Sequence, residues 1–193
     1  MNIGVLALQG DFTAHARILE LLGASTRPVR ATADLEGIHG LVLPGGESTA
    51  MLKLMERDQL DRAICDKVGA GLPVLATCAG VILLANRVKP AQRSLGLLDV
   101  DIVRNAYGRQ VHSSVASISV NGELGEPAAM EAVFIRAPRI EAVGEGVQVL
   151  GRLGEDPVLV ASGSIVAATF HPELSDDHRV HRVFCGLAKG GRS

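Results

Sequence analysis

Short apolar runs alternate with helical patterns through the first half of the chain. Continuous apolar stretches predict three buried strands, at residues 3–8, 41–43 and 73–77. Apolar positions at helical spacing predict four helices, at residues 13–22, 48–57, 60–68 and 81–85. The first of these helices has Ala14, Ile18, Leu21 and Leu22 on one side. An order in which strands alternate with helices predicts a parallel sheet that carries helices on both faces.

The second half of the chain changes character. Strand-like segments separated by turn residues are predicted at residues 99–104, 115–120, 132–135, 147–150, 158–161 and 165–169. Much of this half is expected to be antiparallel or mixed, and one terminal helix is predicted at residues 177–188. Because no repeat, low-complexity segment or linker composition divides the chain, we expect residues 1–193 to form a single domain.

The composition indicates an aliphatic core and argues against nucleic-acid and membrane partners. Hydrophobic residues make up 47% of the 193 residues, but the chain has only one Tyr, four Phe and no Trp, so the core must be aliphatic. Stacking aromatics for single-stranded nucleic acid are absent, the net charge is −2, and the Lys and Arg residues are scattered. We therefore expect no nucleic-acid partner. The apolar stretch at 3–8 is too short for a signal peptide or a membrane span, so we expect a cytoplasmic protein with no membrane partner.

The three cysteines, Cys65, Cys78 and Cys185, are odd in number and far apart. They form neither a disulfide framework nor the paired spacing of a zinc site. Each is therefore either a small buried hydrophobe or a nucleophile. Cys65 and Cys185 lie in helical apolar patterns, which favours the core for both.

The strongest local signal surrounds Cys78, where the chain reads Pro-Val-Leu-Ala-Thr-Cys-Ala-Gly from residue 73. A strand runs into a Cys, a small residue and a Gly, and then into a helix, which is the layout of a nucleophile elbow. Such a turn holds its side chain at the carboxyl edge of the sheet, where ligands bind in open α/β folds. Ala76 and Gly80 supply the small neighbours that this crowded turn needs. A buried Cys at a strand end is the competing interpretation.

A second signal is the Thr-Phe-His-Pro-Glu run at residues 169–173, which follows an apolar strand. Pro172 keeps His171 in an extended conformation. The carboxylate of Glu173 can then accept from one ring nitrogen and leave the other to face a thiol, as a base and its orienting group do. The tripeptide alone has little specificity, because most such histidines are ordinary loop residues.

A third signal is the Pro-Gly-Gly-Glu-Ser-Thr run at residues 44–49, at another junction of strand and helix, with Ser48 near the helix N-cap. Paired glycines permit backbone conformations closed to other residues, so their N–H groups can approach a substrate carbonyl. The peptide between them can also rotate at little cost, which would place an N–H inside or outside an oxyanion hole. An ordinary tight turn is the alternative, and the missing Gly-Lys-Ser/Thr ending disfavours a phosphate-binding loop.

In this order and at these wide spacings, the three pieces resemble the class I glutamine amidotransferases, whose glutaminases use a Cys-His-Glu triad. The chain is similar over essentially its whole length to one subfamily, the glutaminase subunits of pyridoxal 5′-phosphate synthase. The closer resemblance is carried by Leu8-Gln9-Gly10-Asp11, residues 44–49, Thr77-Cys78-Ala79-Gly80, Arg104-Asn105-Ala106-Tyr107-Gly108-Arg109-Gln110, Phe134-Ile135-Arg136-Ala137-Pro138, Phe170-His171-Pro172-Glu173-Leu174 and Asp177-His178-Arg179-Val180. The run at 104–110 is specific, because related glutaminases share the elbow and the His-x-Glu but not this run.

The resemblance implies a three-layer α/β fold of the class I glutamine amidotransferase type, with a mixed, mostly parallel sheet, flanking helices and a nucleophile elbow. It implies that Cys78 attacks the side-chain amide of L-glutamine, that His171 transfers protons and that Glu173 orients His171. Backbone N–H groups of Gly46 and Ala79 would form the oxyanion hole. The implied glutamine contacts are Gly46, Glu47, Ser48, Arg104, Ile135 and Arg136. A Glu and an Arg suit the ammonium and the carboxylate of glutamine.

The same resemblance implies a partner, a larger synthase subunit that combines ammonia with a pentose phosphate and a triose phosphate to make pyridoxal 5′-phosphate. We expect a poor glutaminase in isolation, because free hydrolysis would waste glutamine. Docking of the synthase near Gln9-Gly10 and the Gly45-Gly46 pair would select the active arrangement. No cofactor is expected.

Several residues depart from the pattern or carry little signal. Ala76 stands where the family pattern has Gly, and residues 121–126 look longer than expected and are interpreted as a surface turn. His178 and His181 are three apart on a helix expected to be solvated, with no third ligand, so no metal site is expected. His15 and His39 carry no signal of function.

Three alternatives compete with this interpretation. A Cys-elbow hydrolase or deglycase of similar fold would use the elbow without a late His-Pro-Glu. A regulatory module that kept the fold and lost the chemistry would lack one of Cys78, His171 or Glu173, and all three are present. A glutaminase that serves another synthase is disfavoured only by the longer runs.

Overall fold

The computed structural model describes residues 1–104, 106, 113–126 and 128–190. Strands alternate with helices as far as Leu84, and strands then predominate up to Ala168. The strands are β1 (Asn2–Leu6), β2 (Ser25–Val29), β3 (Gly40–Leu43), β4 (Val74–Thr77), β5 (Ala85–Lys89), β6 (Leu98–Val103), β7 (Ser113–Val120), β8 (Ala129–Ile135), β9 (Arg139–Val143), β10 (Gln148–Leu153), β11 (Asp156–Ser162) and β12 (Ile165–Ala168). The α-helices are α1 (Phe12–Leu21), α2 (Ser48–Arg57), α3 (Leu60–Gly69), α4 (Ala79–Leu84) and α5 (Arg179–Gly190). Short 3₁₀ helices span Thr32–Leu35, Gly122–Leu124 and Pro172–Leu174.

Nine strands form one mixed sheet in the order β2-β1-β3-β4-β12-β11-β10-β7-β8. The strands from β2 to β12 in this order pair in parallel, and the strands from β12 to β8 pair antiparallel. Strands β5, β6 and β9 form a separate three-stranded sheet. The predicted α/β fold with a mixed sheet and flanking helices is confirmed, although the antiparallel half of the large sheet is as extensive as the parallel half.

Alternate residues of the central strands feed two cores on opposite faces of the large sheet. In β3, Leu41 and Leu43 belong to one buried cluster, while Val42 between them belongs to the other. The first cluster also contains the buried side chains of α2, α3 and α4 and those of the three-stranded sheet. The second contains Leu19 of α1, the buried apolar side chains of α5 and most of those of the antiparallel half. The parallel sheet is therefore covered on both faces, which produces the three layers.

Three strands have no counterpart among the predicted elements: β2, β5 and β9. Strand β2 reads Ser-Thr-Arg-Pro-Val and lies at the edge of the large sheet, where Pro28 is tolerated. Strand β5 reads Ala-Asn-Arg-Val-Lys and buries only Ala85 and Val88. Because such strands bury few side chains, their sequences lack the continuous apolar run by which buried strands are recognised.

Helix α1 presents a different face from the one expected. Its buried residues are His15, Ile18 and Leu19, whereas Leu21 is 69% exposed. The spacing of three and four residues from position 15 places a histidine on the buried stripe, which a purely apolar count overlooks. A polar side chain, that of His15, is therefore buried between α1 and the sheet.

Arg179, at the start of α5, joins this helix to the antiparallel half of the sheet. Its guanidinium donates to the carbonyls of Gly125, at 3.2 Å, and Ala129, at 2.7 Å. It also pairs with Asp177, whose hydrogen bonds with Arg179 hold the pKa of that carboxyl below its ordinary value. The stretch 121–126, interpreted as a surface turn, contains the 3₁₀ helix Gly122–Leu124, and Leu124 is buried.

Helix α4 approaches strand β3 so closely that one position between them has no room for a side chain. A Cβ atom on Gly80 would lie 2.1 Å from the carbonyl oxygen of Leu43. The obstacle is backbone, which cannot rotate aside as a flexible side chain would. Gly80 therefore sets the distance between the first turn of α4 and the end of β3.

We predict that Gly80→Ala destabilises the fold by about 3 kcal/mol or more, because backbone must move to relieve the overlap. Gly186→Ala in the exposed part of α5 is the matched control, since nothing lies within 4 Å of its Cβ position. That control should stabilise the protein by roughly 0.5–1 kcal/mol through helix propensity. Urea unfolding of both variants measures the two effects. Equal stability of the Gly80→Ala variant and the parent protein would contradict the close approach.

Candidate active site

Cys78 lies on a sharp turn between β4 and α4, at the carboxyl edge of the parallel strands. Its backbone has φ 47° and ψ −105°, in a region that residues with a side chain rarely adopt. The backbone N–H of Cys78 donates to the carbonyl of Ala168, at 2.8 Å, which fixes the turn to β12. The Sγ lies 3.8 Å from the carbonyl oxygen of Ile135. The strand–Cys–helix elbow that the sequence predicts is present.

His171 follows β12 and enters the same edge of the sheet. Its backbone N–H donates to the carbonyl of Val133, at 2.8 Å. On the ring, Nδ1 lies 2.7 Å from Oε1 of Glu173, and the same ring lines the cleft together with the thiol of Cys78. Glu173 lies in the 3₁₀ helix that Pro172 begins, and its carboxylate is only 3% exposed. The three side chains therefore form a continuous Cys–His–Glu series, with Glu173 on the protein side.

The electrostatics of this series keep charge on both partners of the His–Glu pair. Burial lowers the pKa of His171, but the hydrogen bonds and charges of Cys78 and Glu173 raise it to about 10. Burial raises the pKa of Glu173, but its electrostatic interaction with His15 and the hydrogen bond and charge of His171 outweigh burial and bring it below its ordinary value. A protonated ring can hold the thiol proton and release it to a leaving group.

The glycine loop after β3 packs directly against the histidine. A Cβ atom on Gly45 would lie 2.6 Å from Cε1 of His171, so only glycine permits this contact. The neighbouring loop after β1 approaches equally closely, because a Cβ on Gly10, at φ +88°, would overlap the carbonyl oxygen of Gly45. The side chain of Gln9 accepts from the backbone N–H of Glu47, at 3.1 Å. Two loops thus hold each other in place beside Cys78 and His171.

A cleft of about 260 Å³ opens in front of Cys78. Its lining contains Gln9, Gly10, Gly46, Glu47, Ser48, Cys78, Ala79, Ile82, Arg104, Ile135, Arg136 and His171. The predicted site residues therefore all line this cleft, except Glu173, which lies behind His171. The sequence did not single out Ile82, and it connected Gln9 and Gly10 only with a partner.

Charges of both signs lie at the far end of the cleft. Glu47 accepts from the backbone N–H groups of Thr49, at 3.0 Å, and Ala50, at 2.8 Å, and pairs with Arg104 at 3.4 Å. Burial raises the pKa of Glu47, but these two N–H groups and Arg104 outweigh burial and lower it. Arg136 holds a backbone φ of 45°, a strained value for an arginine. The cleft can therefore receive a molecule that carries an ammonium and a carboxylate.

Ser48 lies next to the N-cap of α2, as expected. Glu47 is the N-cap, whereas Ser48 is the first helical residue and is buried. The hydroxyl of Ser48 contacts the side chain of Gln92, at 3.2 Å, and Gln92 also accepts a hydrogen bond from Arg104. Gln92 carried no signal in the sequence, because its role depends on a loop that returns to the cleft. Of the run at 104–110, only Arg104 and Ala106 are among the described residues; Asn105 and Tyr107–Gln110 lie outside them.

Two histidines with no assigned role lie behind the triad. His15 and His181 are fully buried, and His15 Nδ1 lies 3.0 Å from His181 Nε2. His15 Nε2 lies 3.2 Å from Oε2 of Glu173 and 3.2 Å from Oγ1 of Thr77. The expectation that His181 lies on a solvated surface is wrong, because Phe184 and Cys185 continue its buried face. The spacing of three and four residues from His181 to Phe184 and Cys185 is the sequence pattern that could have indicated its burial.

The remaining candidates have simpler surroundings. Cys185 is buried as predicted, whereas Cys65 is only partly buried, with its Sγ 4.0 Å from the carbonyl oxygen of Leu95. A second depression of about 510 Å³ is lined by Glu56, Gln59, Asp61, Arg62 and Arg93, and holds no nucleophile. Within the described ranges, no cluster of three or more metal-binding side chains occurs. None of the described helices is long and apolar enough to cross a bilayer.

Comparison with known proteins agrees with this architecture. A family model described as the SNO glutamine amidotransferase family matches residues 5–188. The chain is 47% identical over 190 residues to a Thermotoga maritima protein named pyridoxal 5′-phosphate synthase subunit PdxT, covering 98% of this chain and 100% of that protein. A Koribacter versatilis protein of the same name is 49% identical over 197 residues, covering 100% of this chain and 98% of the relative. A crystal structure described as a glutamine amidotransferase matches with a TM-score of 0.90 at 44% identity, covering 97% of this chain and 98% of that chain.

We predict that the His171 imidazole titrates near a pKa of about 10, and at a lower pKa in Cys78→Ala, which removes its thiol partner. NMR titration of the ring C–H signals measures both values. Because the folded pKa lies above the ordinary value of 6.5, this group stabilises the fold fully below pH 6.5 and loses that contribution as pH rises through about 10. The stability difference between the parent and Cys78→Ala in urea should therefore shrink over that interval. An unchanged titration in Cys78→Ala would contradict the contact.

Proposed function

The chain belongs to the SNO glutamine amidotransferase family, and we propose that it hydrolyses L-glutamine through Cys78, His171 and Glu173 and delivers the ammonia to a pyridoxal 5′-phosphate synthase subunit. The observation that carries this proposal is the placement of a strained Cys next to a histidine whose other nitrogen binds a buried carboxylate. All of this faces a cleft with charges of both signs. The cytoplasmic location expected from the sequence stays a prediction.

The first half of the reaction is attack by sulfur on the side-chain amide carbon. The proton that Cys78 shares with His171 stays on the ring as the S–C bond forms, and the carbonyl π electrons move onto oxygen. Backbone N–H groups of Gly46 and Ala79 stabilise this oxyanion; the N–H of Ala79, the first residue of α4, has no acceptor within its helix. His171 then returns the proton to the amide nitrogen, the C–N bond breaks and ammonia leaves. The product on the enzyme is a thioester.

The second half regenerates the enzyme with water. His171 takes a proton from water as the hydroxyl attacks the thioester carbon, and the same two N–H groups receive the new oxyanion. The C–S bond breaks, and the sulfur recovers its proton from His171. The balanced result is L-glutamine plus water giving L-glutamate plus ammonia. Glu173 stays ionised, orients the ring through Nδ1 and stabilises its positive charge.

Substrate choice follows from the charged groups that line the cleft. Glu47 offers a carboxylate for the α-ammonium of glutamine, and Arg104 and Arg136 offer guanidinium groups for the α-carboxylate. In the structure Arg104 is engaged by Glu47 and by Gln92, so the substrate would exchange an existing ion pair for its own contacts. This arrangement selects free glutamine over simple amides, which lack both charges.

Coupling to a synthase is supported by the position of the site. Gln9 and Gly10 are exposed at the rim of the cleft and pack against the Gly45–Gly46 loop. A subunit that docks on this rim reaches the loop whose peptide supplies an oxyanion donor. Removal of one such donor typically lowers the rate by about 10²–10³, enough to keep the isolated chain slow. The names of the relatives at 47% and 49% identity support pyridoxal 5′-phosphate synthase as the assembly.

We predict that Cys78→Ala abolishes ammonia release from glutamine, lowering the rate by roughly 10³-fold or more, while Cys65→Ala and Cys185→Ala retain it. Loss of a single thiol removes little packing, so all three variants should retain the fold. A glutamine-analogue electrophile, followed by peptide mass spectrometry, should modify Cys78 alone. Modification at Cys65 or Cys185 instead, or an active Cys78→Ala, would disprove the assignment.

We predict that addition of the synthase subunit accelerates glutamine hydrolysis by about 10²-fold or more and yields pyridoxal 5′-phosphate when the sugar phosphates are present. Ammonia and the absorbance of the product are measured with and without the partner. A mixture made with Cys78→Ala should form product only when ammonium is added in place of glutamine. If the isolated chain turned over as fast as the mixture, the coupling would be wrong and a free-standing amidase would be the better interpretation.

A further inference from the structure

The buried surroundings of Glu173 include polar side chains that the Cys–His–Glu series does not use. Its Oε1 serves His171, but Oε2 is also buried and has no hydrogen bond of ordinary geometry from the described residues. Oε2 lies 3.2 Å from His15 Nε2, in an ion-pair contact between two side chains that are 3% and 0% exposed. Burying a carboxylate is costly in free energy when one of its oxygens accepts no hydrogen bond. The group that faces this oxygen therefore affects how well the ionised form of Glu173 is stabilised.

His15 sits where four elements meet. It projects from α1 toward Thr77, the residue before the nucleophile, with Nε2 3.2 Å from Oγ1. Its other nitrogen, Nδ1, lies 3.0 Å from Nε2 of His181 on α5. Glu173 completes the group from the 3₁₀ helix after His171. A single imidazole thus connects the strand that carries Cys78 with the carboxylate that orients His171.

The contact between the two imidazoles restricts where their protons lie. One nitrogen of the pair must donate and the other must accept. If His181 Nε2–H donates, the proton of His15 is on Nε2 and faces Glu173. If His15 Nδ1–H donates instead, a bare Nε2 lone pair faces the carboxylate oxygen, and the proton of His181 is buried on Nδ1 without a described partner. Both consequences disfavour the second arrangement, so the first is selected.

Both imidazoles are neutral near neutral pH, because burial lowers the pKa of His15 and of His181. A neutral donor holds the carboxylate without placing a second cation beside His171. The titratable groups that influence this cluster come from each element packed on it: Asp11, Cys78, His171, Glu173 and His178. Among these groups, Glu173 contacts His15 directly and His171 contacts Glu173. Both Glu173 and His171 also have a role in the proposed reaction.

We propose that His15 is a positioning residue, whose Nε2–H faces and holds the second oxygen of Glu173, and that His181 fixes the tautomer of His15 that makes this possible. The inference rests on the proposed roles of Glu173 and His171 as orienting group and base. His15 touches neither substrate nor sulfur. It keeps Glu173 ionised and aimed, so that His171 remains correctly oriented toward Cys78.

The first test is steady-state kinetics of the chain with its synthase subunit across pH. His15→Leu fills the volume but offers no donor, so kcat should fall roughly 10- to 100-fold near neutral pH. The acidic limb of the profile should move to higher pH, because an unserved Glu173 binds a proton more readily. KM should change little, since the glutamine contacts lie in the cleft beyond His171. His15→Gln restores an amide N–H near the position of Nε2 and should recover most of kcat and the original limb.

The second test reads the tautomers directly and needs no activity. In ¹⁵N-histidine-labelled protein, long-range ¹H–¹⁵N correlation should show His15 protonated on Nε2 and not on Nδ1 at neutral pH, with His181 also protonated on Nε2. His181→Leu should weaken this preference and lower kcat less than His15→Leu does. His181→Gln retains a donor for His15 and should behave like the parent.

The results that would support the inference differ from those that would overturn it. The matched control is His39→Leu, because His39 binds the backbone N–H of Asn2, at 3.1 Å, at the opposite end of the sheet; its pH profile should match the parent. An Nδ1-protonated or cationic His15, or superposable profiles for His15→Leu and His15→Gln, would overturn the inference. If His15→Leu does not fold, His15→Gln and the tautomer measurement decide. Activity retained in Cys78→Ala would instead overturn the proposed function and leave the tautomer result standing.

Discussion

The carboxyl edge of the parallel strands is held together by backbone that approaches backbone without side chains between. Gly80 lets α4 cross the end of β3, Gly10 lets the loop after β1 rest on the loop after β3, and Gly45 lets that loop touch His171. Each contact excludes a Cβ atom, so the distances are set by van der Waals limits that do not relax. The strained turn at Cys78 persists because these contacts determine it from several directions. Geometry at the site is therefore a consequence of packing in the three layers.

A second constraint is electrostatic and acts from behind the site. A carboxylate that is nearly inaccessible to solvent must be compensated, and the compensation here comes from two histidines of different charge. His171, pulled to a high pKa by Cys78 and Glu173 against burial, supplies the positive charge. His15, kept neutral by burial, supplies polarity without charge. If both rings were cationic, their repulsion would lower the affinity of His171 for the proton that it must carry.

The sequence predicted the parts of the site that follow local rules. A strand that runs into a small-residue turn, a His-Pro-Glu after an apolar strand and paired glycines before a helix are each recognisable from a few neighbours, and all three came together. Strands β2, β5 and β9 escaped because they bury few side chains and carry charged or Pro residues. His15 and His181 escaped for a different reason, because their partners are 62 and 166 residues away along the chain. A buried polar residue on an apolar stripe looks like an interruption of the pattern until its partner is known.

The charged groups of the cleft also bear on which ligands it can select. Glu47 is engaged by two backbone N–H groups of α2 and by Arg104, and Arg104 is engaged in turn by Gln92. A ligand with only one charge could satisfy one of these groups but would leave the other without its partner. A zwitterion replaces both halves of the pair at once, so discrimination arises from the penalty on incomplete ligands. The Glu47–Arg104 ion pair therefore favours a zwitterionic ligand, and Glu47 follows the glycine loop to which the proposed function assigns one oxyanion donor.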